Sequence, residues 1–195
     1  SYLATLDAFH DVQEEINLVV CRQEGGVANM ADAWGKMTGK PGIGFVTRGP
    51  GATNASVGIH TAHQDSTPVI LFVGQVARDM AEREAFQEVD YRRMFGEMTK
   101  WVAQIDNPAR IPEMVSRAFH VACSGRPGPV VLALPEDMQT ERAQPDDGQP
   151  FRAVQSHPGP ANMDRFHEML SKSRTVPQAI FEMLNFTIIG EMPLT

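Results

Sequence analysis

Little in this sequence invites a disulfide, a zinc site or a membrane. Cys21 and Cys123 are its only cysteines. Each falls in an apolar predicted element, a pattern that argues against a disulfide framework or a zinc site and suits a reducing cytoplasm. No apolar stretch reaches transmembrane length. The opening residues, Ser1-Tyr2-Leu3-Ala4-Thr5-Leu6-Asp7, lack the basic start and long apolar core of a signal peptide. Runs of basic residues are missing too, and the formal net charge is -7, which disfavours nucleic acid and anionic membrane surfaces as partners. No internal repeat or low-complexity segment is present. What remains is a globular composition, 42% hydrophobic and 21% charged over 195 residues, enough for one ordinary domain and part of a second.

From residue 16 to 135 short apolar runs alternate with helical periods. Ile16 to Cys21 reads as a buried strand, and Val27, Met30, Ala31 and Trp34 then recur at helical spacing, with Gly39 as the C-terminal cap. Ile43 to Thr47 is the next strand, and Gly49-Pro50-Gly51 opens the helix after it. Val69 to Val73 is a third strand. A charged excursion over residues 75 to 99 holds a short helix near Tyr91 to Phe95. Trp101 to Ile105 is a fourth strand. Ile111, Met114, Val115, Ala118, Phe119 and Ala122 form one helical stripe that starts between Asn107 and Pro112 and ends near Gly125. Val130 to Leu134 is the last strand. Continuous apolar strands separated by amphipathic helices predict an α/β fold with a mostly parallel sheet covered on both faces. Residues 136 to 160 lose periodicity and read as a linker. Ala161 to Lys172 fits one more amphipathic helix, while Val176 to Thr195 has no place in the pattern.

Two features fall at the carboxyl ends of strands, the edge where open α/β sheets bind ligands. One is Arg22-Gln23-Glu24-Gly25-Gly26-Val27-Ala28, where a carboxylate stands at the junction of an apolar run and a helix. A glutamate there is commonly an electrostatic cap, but Gly25 and Gly26 leave room for something flat beside it. A carboxylate so placed can hold a raised pKa and share a proton with a heterocycle. The other is Gly49-Pro50-Gly51-Ala52-Thr53-Asn54. It could cradle a phosphate at a helix N-terminus, yet it lacks the Lys-Ser/Thr of a P-loop and the spacing of a dinucleotide fingerprint. His60 and His63, with Asp65 beyond, read as a surface pair more readily than as a metal site. Phe86-Gln87-Glu88 is, taken alone, an amphipathic surface segment in a loop of the kind that often carries function.

Together these motifs resemble the N-terminal pyrimidine-binding domain of thiamine-diphosphate-dependent enzymes, on the acetolactate synthase branch. Residues 22–28, 49–54, Pro68 to Gln75, Ala85-Phe86-Gln87-Glu88-Val89-Asp90 and Gly125-Arg126-Pro127-Gly128-Pro129-Val130 occur in that family's order over residues 3 to 140. The resemblance implies a three-layer α/β/α domain over residues 1–140, a linker over 141–160, and the truncated or aberrant start of a central domain over 161–195. The family's opening strand would precede Ser1. Gln23 stands where relatives usually carry His.

The same resemblance implies roles. Glu24 would hydrogen-bond a ring nitrogen of the cofactor's aminopyrimidine and favour the imino tautomer that deprotonates the thiazolium carbon. Thr47, Pro50 and Asn54 would line the pyrimidine side or the subunit contact. Gln87 with Phe86 would face the thiazolium and a 2-oxo acid, pyruvate foremost. Arg126 matches an arginine that contacts FAD. Mg2+ and the diphosphate would be held by a separate domain that nothing in this chain resembles, contributed by a partner subunit of a homodimer or tetramer, so the chain alone should be inactive. Phe86-Gln87-Glu88 favours acetolactate synthase chemistry, in branched-chain amino acid biosynthesis, over a simple decarboxylase. Glyoxylate carboligase, benzoylformate or oxalyl-CoA decarboxylase and sulfoacetaldehyde acetyltransferase are the alternatives within the family. The reading from a different class is a non-catalytic α/β interaction module or truncated remnant.

Overall fold

The structure, a computed structural model, describes residues 2–144 and Asp164. The chain divides into two compact units, Ser1–Gln155 and Ser156–Thr195, and all that follows concerns the first. The expected helix over Ala161 to Lys172 lies outside the described residues except for Asp164, which is helical. The 176–195 stretch lies wholly outside them.

Among the described residues four strands form one sheet: β1 (Gly42–Val46), β2 (Val69–Gln75), β3 (Trp101–Gln104) and β4 (Pro129–Pro135), in the order β1-β2-β4-β3. Every pairing is parallel, with Gly42 opposite Val69, Val69 opposite Pro129, and Trp101 opposite Val130. The helices α1 (Leu3–Asp11) and α2 (Glu24–Thr38) precede β1, and α3 (Pro50–Gln64), α4 (Tyr91–Phe95) and α5 (Ile111–Cys123) join the successive strands. Side chains alternate across a strand, so β2 and β4 each feed two cores. Val69, Leu71, Val73, Val131 and Ala133 face a cluster completed by alanines of α2 and α3 and by Tyr91 and Phe95. Ile70, Phe72, Val130, Leu132 and Leu134 face the other, with Met114, Ala118 and Ala122 of α5. Helices therefore cover both faces, as the uninterrupted apolar strands require. The outcome is the expected three-layer α/β/α fold.

One expectation fails. Ile16 to Cys21 is not a strand but an irregular segment, with Ile16, Leu18, Val19 and Val20 all exposed. A short apolar run fixes a strand only where a neighbour offers a ladder, and among the described residues β1 pairs with β2 alone. α1 was not foreseen either. It is held by Phe9, edge-on to Phe45 at 5.2 Å, while Tyr2 beside it meets the same ring at 5.8 Å and Thr5 donates to Gln139.

The two helices that frame the carboxyl edge begin in different ways. Gln23 takes extended backbone geometry as the N-cap of α2, and its side-chain Oε1 accepts from the Gly26 amide at 3.1 Å. This is the work its residue type can do at that position. Glu24 is then the first helical residue, where a negative charge suits the macrodipole. The helix ends as expected at Gly39, φ +67, whose amide bonds to Gly35 O. Farther along, α2 and α3 lie almost in backbone contact. A Cβ on Gly58 would sit 2.6 Å from Ala28 Cβ, so only glycine permits this approach.

Candidate active site

The crossing of α2 and α3 carries the site. Glu24 lies one turn before Ala28 and Asn54 one turn before Gly58, so the close approach of Ala28 and Gly58 brings Glu24 and Asn54 together. Asn54 Nδ2 donates to Glu24 Oε2 at 3.0 Å. The second carboxylate oxygen, Oε1, lies 3.5 Å from where a Cβ on Gly51 would stand. Gly51 thus places no side chain against that oxygen. Glu24 is half-exposed, and the Asn54 hydrogen bond holds its pKa below the ordinary glutamate value, outweighing the small effect of burial. The expectation of a raised pKa is therefore wrong. A donor that bonds the charged form stabilises it, and the apolar shielding that would raise the pKa is slight here.

Gly49, Pro50 and Gly51 form the turn between β1 and α3, with Pro50 at the first helical position as its missing amide allows. Gly49 has φ +55, and a Cβ there would lie 2.8 Å from both Gln87 Cβ and Gln87 O. Gln87 itself has φ +64, so two left-handed backbones meet face to face. Thr47 belongs to the same turn: its Cγ2 would be 2.7 Å from a Cβ on Gly51. One amide of this turn is not free for a phosphate. Gly49's amide already donates to the Tyr91 hydroxyl at 3.0 Å, and that hydroxyl donates to Gly74 O at 3.0 Å.

The 76–90 excursion is held by bonds within itself and by ties to β2 and to the segment after β4. Glu88 accepts from the amides of Glu82 and Ala85, at 2.6 and 3.0 Å, which lowers its pKa. Gln75 closes β2 with a side chain that donates to Val89 O at 2.8 Å and accepts from Val76 N at 2.9 Å. Arg78 binds Asp137 at 2.7 Å and also pairs with Glu141. Arg48 reaches from the end of β1 to Glu136 beyond β4. These ties leave Phe86 77% exposed beside Gln87.

Glu24, Thr47, Pro50, Asn54, Phe86 and Gln87 thus gather along one edge of the sheet. Arg126 does not join them. It precedes β4, at the amino edge, and its guanidinium donates to Ser66 Oγ and to the carbonyls of His63 and Gln64, sealing the last turn of α3. Among the described residues no three His, Cys, Asp or Glu side chains could hold a metal ion, and Asp65 is paired with Lys36. Sequence reasoning missed Tyr91, Arg48 and Glu136. A signal did exist for Gln75, the one strongly polar residue in an otherwise apolar, fully buried strand.

Comparison with known proteins points to one family. The family description "Thiamine pyrophosphate enzyme, N-terminal TPP binding domain" matches residues 1–94. The acetolactate synthase large subunit of Lactococcus lactis is 33% identical over 192 residues, covering 98% of this chain and 31% of that protein. This similarity carries into the 176–195 stretch. A probable acetolactate synthase large subunit of Methanocaldococcus jannaschii is 40% identical over 158 residues, 80% of this chain and 25% of that protein. The mitochondrial acetolactate synthase catalytic subunit of Saccharomyces cerevisiae is 38% identical over 136 residues, 70% and 20% respectively. The chain therefore spans a third or less of the curated relatives it matches. With a carboxylate at a helix start, a glycine turn beside it and these matches in hand, the chain belongs to the thiamine pyrophosphate enzyme family, as an N-terminal pyrimidine-binding domain of the acetolactate synthase-like branch.

Proposed function

We propose that this chain supplies the pyrimidine-binding half of an active site that acts on 2-oxo acids, with pyruvate as substrate. The observation that carries the reading is Glu24, held by Asn54 and flanked by glycines at the carboxyl edge of the sheet. At neutral pH its lowered pKa makes Glu24 a carboxylate, which accepts hydrogen bonds but cannot donate. A ring nitrogen facing it must therefore carry the proton, and Glu24 holds that proton in place. Asn54 fixes the carboxylate's orientation through Oε2, while Gly51 sets no side chain against Oε1. Thr47 and Pro50 line the same flank, and Gln87 with the exposed Phe86 faces the substrate side.

When bound, thiamine diphosphate supplies the stabilised carbanion by which 2-oxo acids are decarboxylated and joined. Magnesium and the diphosphate fall to a separate domain of a partner subunit, so residues 1–140 supply one half of the site and the 195-residue chain is inactive by itself. A homodimer is supported by Met30, Trp34 and Met37, exposed at helical spacing along α2. A role for Arg126 at FAD would have to use what its contacts to α3 leave over. The cytoplasm is the compartment that its two free cysteines suit. No helix among the described residues is long and apolar enough to cross a membrane.

Turnover of pyruvate by the whole gene product, supplied with thiamine diphosphate and magnesium, tests the reading. Glu24→Gln is expected to lower the rate by roughly a hundredfold or more, the scale of a proton-transfer group. An unchanged rate would refute the role of Glu24. Turnover of glyoxylate or sulfoacetaldehyde in place of pyruvate would reassign the substrate.

A further inference from the structure

We infer that Tyr91 is a positioning residue, whose hydroxyl sets where Gln87 lies against the glycine turn. The inference rests on the reading of that edge as a cofactor site, but its argument is geometric. Tyr91 is the first residue of α4 and is buried in the core cluster beneath α3, 6.2 Å ring to ring from Phe95. Asp90 caps that helix by accepting from the Arg92 and Arg93 amides, which fixes the rotation that sends the phenol back toward the sheet. The hydroxyl then joins two elements that share no ladder at that point. It donates to Gly74 O near the end of β2 and accepts from Gly49 N at the start of α3, both at 3.0 Å.

Four residues upstream, Gln87 presses its Cα, Cβ and carbonyl against the other side of Gly49. The segment from Gln87 to Tyr91 therefore grips the turn twice, with backbone on one side and a phenol on the other. Without the phenol, the Gly49 amide is a buried donor with nothing to meet, and a buried donor in that state is costly. Relief requires the turn to rotate, and Gln87 must move with it because no slack separates the two. Asn54, on the first turns of the same α3, follows, so the hydroxyl also bears on the Asn54–Glu24 pair.

The test is amide-resolved NMR on the 195-residue chain. Tyr91→Phe is expected to speed exchange of the Gly49 amide by about tenfold or more, since that buried bond is then open to water. It is also expected to shift the Gln87 resonances. Phe95→Leu, which disturbs the same core and keeps the hydroxyl, serves as control. It should lower the melting temperature and leave Gly49 and Gln87 unmoved. Equal effects of the two substitutions, or a Tyr91→Phe protein with Gly49 and Gln87 unaltered, would overturn the inference. Should Tyr91→Phe not fold, the unmodified chain decides. A protected Tyr91 hydroxyl proton with a cross-peak to the Gly49 amide supports the inference, and a freely exchanging hydroxyl rules it out. None of these readouts needs a ligand, so failure of the cofactor reading would show separately, in the turnover assay.

Discussion

The hydrogen bond from Asn54 to Glu24, 3.0 Å long, is set by a contact one helical turn deeper, where Gly58 lies against Ala28. Two small residues allow the helices to touch, and the touch aligns the polar pair above them. Packing and chemistry are thus linked through a single turn of each helix.

Glu24 has a folded pKa below the unfolded value, so its bond to Asn54 stabilises the fold above about pH 4.3, the ordinary glutamate value. That contribution fades as the pH falls through the lowered folded value. Asn54→Ala should return the Glu24 titration toward the ordinary value, as read by carboxyl-carbon NMR. A midpoint that does not move would show that Asn54 is not the cause.

Enlarging Gly58 probes the same bond from below. Gly58→Ala places a methyl 2.6 Å from Ala28 Cβ, and overpacking of this kind costs about 1–3 kcal/mol. Thermal unfolding should show that loss, and the Glu24 titration should rise with it. Lost stability with an unmoved titration would separate the helix contact from the polar pair.

Glu88 organises the loop that presents Phe86 and Gln87. Glu88→Gln keeps the shape but removes the charge that the Glu82 and Ala85 amides bind. Limited proteolysis should then cut between residues 81 and 88 faster, with the core sheet still protected. The native loop should loosen in the same way as pH falls through the lowered Glu88 pKa. Unchanged cleavage would mean that Gln75 and Arg78 suffice.

Trp34, 56% exposed beside Met30 and Met37 on α2, is expected to drive self-association. Sedimentation should show concentration-dependent assembly that Trp34→Lys abolishes. A monodisperse monomer at high concentration would count against a dimer through this face.

Much of the fold was legible because its strands are buried on both sides and so read as unbroken apolar runs. Val69 to Val73 and Val130 to Leu134 could be little else. The carboxyl-edge turn was legible for a related reason, since glycines and a proline at fixed offsets mark backbone geometry. Ile16 to Cys21 misled because its composition is that of a strand while its pairing depends on a neighbour, which composition cannot report. The candidate site was legible where single residues mark it, as with Glu24 and Asn54. It was invisible where it depends on distant residues meeting. Tyr91 lies 42 residues from Gly49 and Glu136 lies 88 from Arg48, and no periodicity connects such pairs. The sign of the Glu24 pKa also escaped, because it turns on one hydrogen bond rather than on burial.

On the proposed function, the Glu24 edge takes an aminopyrimidine ring. The direct measurement is an amide-resolved NMR titration of the 195-residue chain with 4-amino-5-hydroxymethyl-2-methylpyrimidine, the ring half of thiamine. Saturable shifts confined to Glu24, Gly25, Gly51 and Asn54 are expected, abolished by Glu24→Gln. Shifts elsewhere, or shifts that survive that substitution, would contradict that reading.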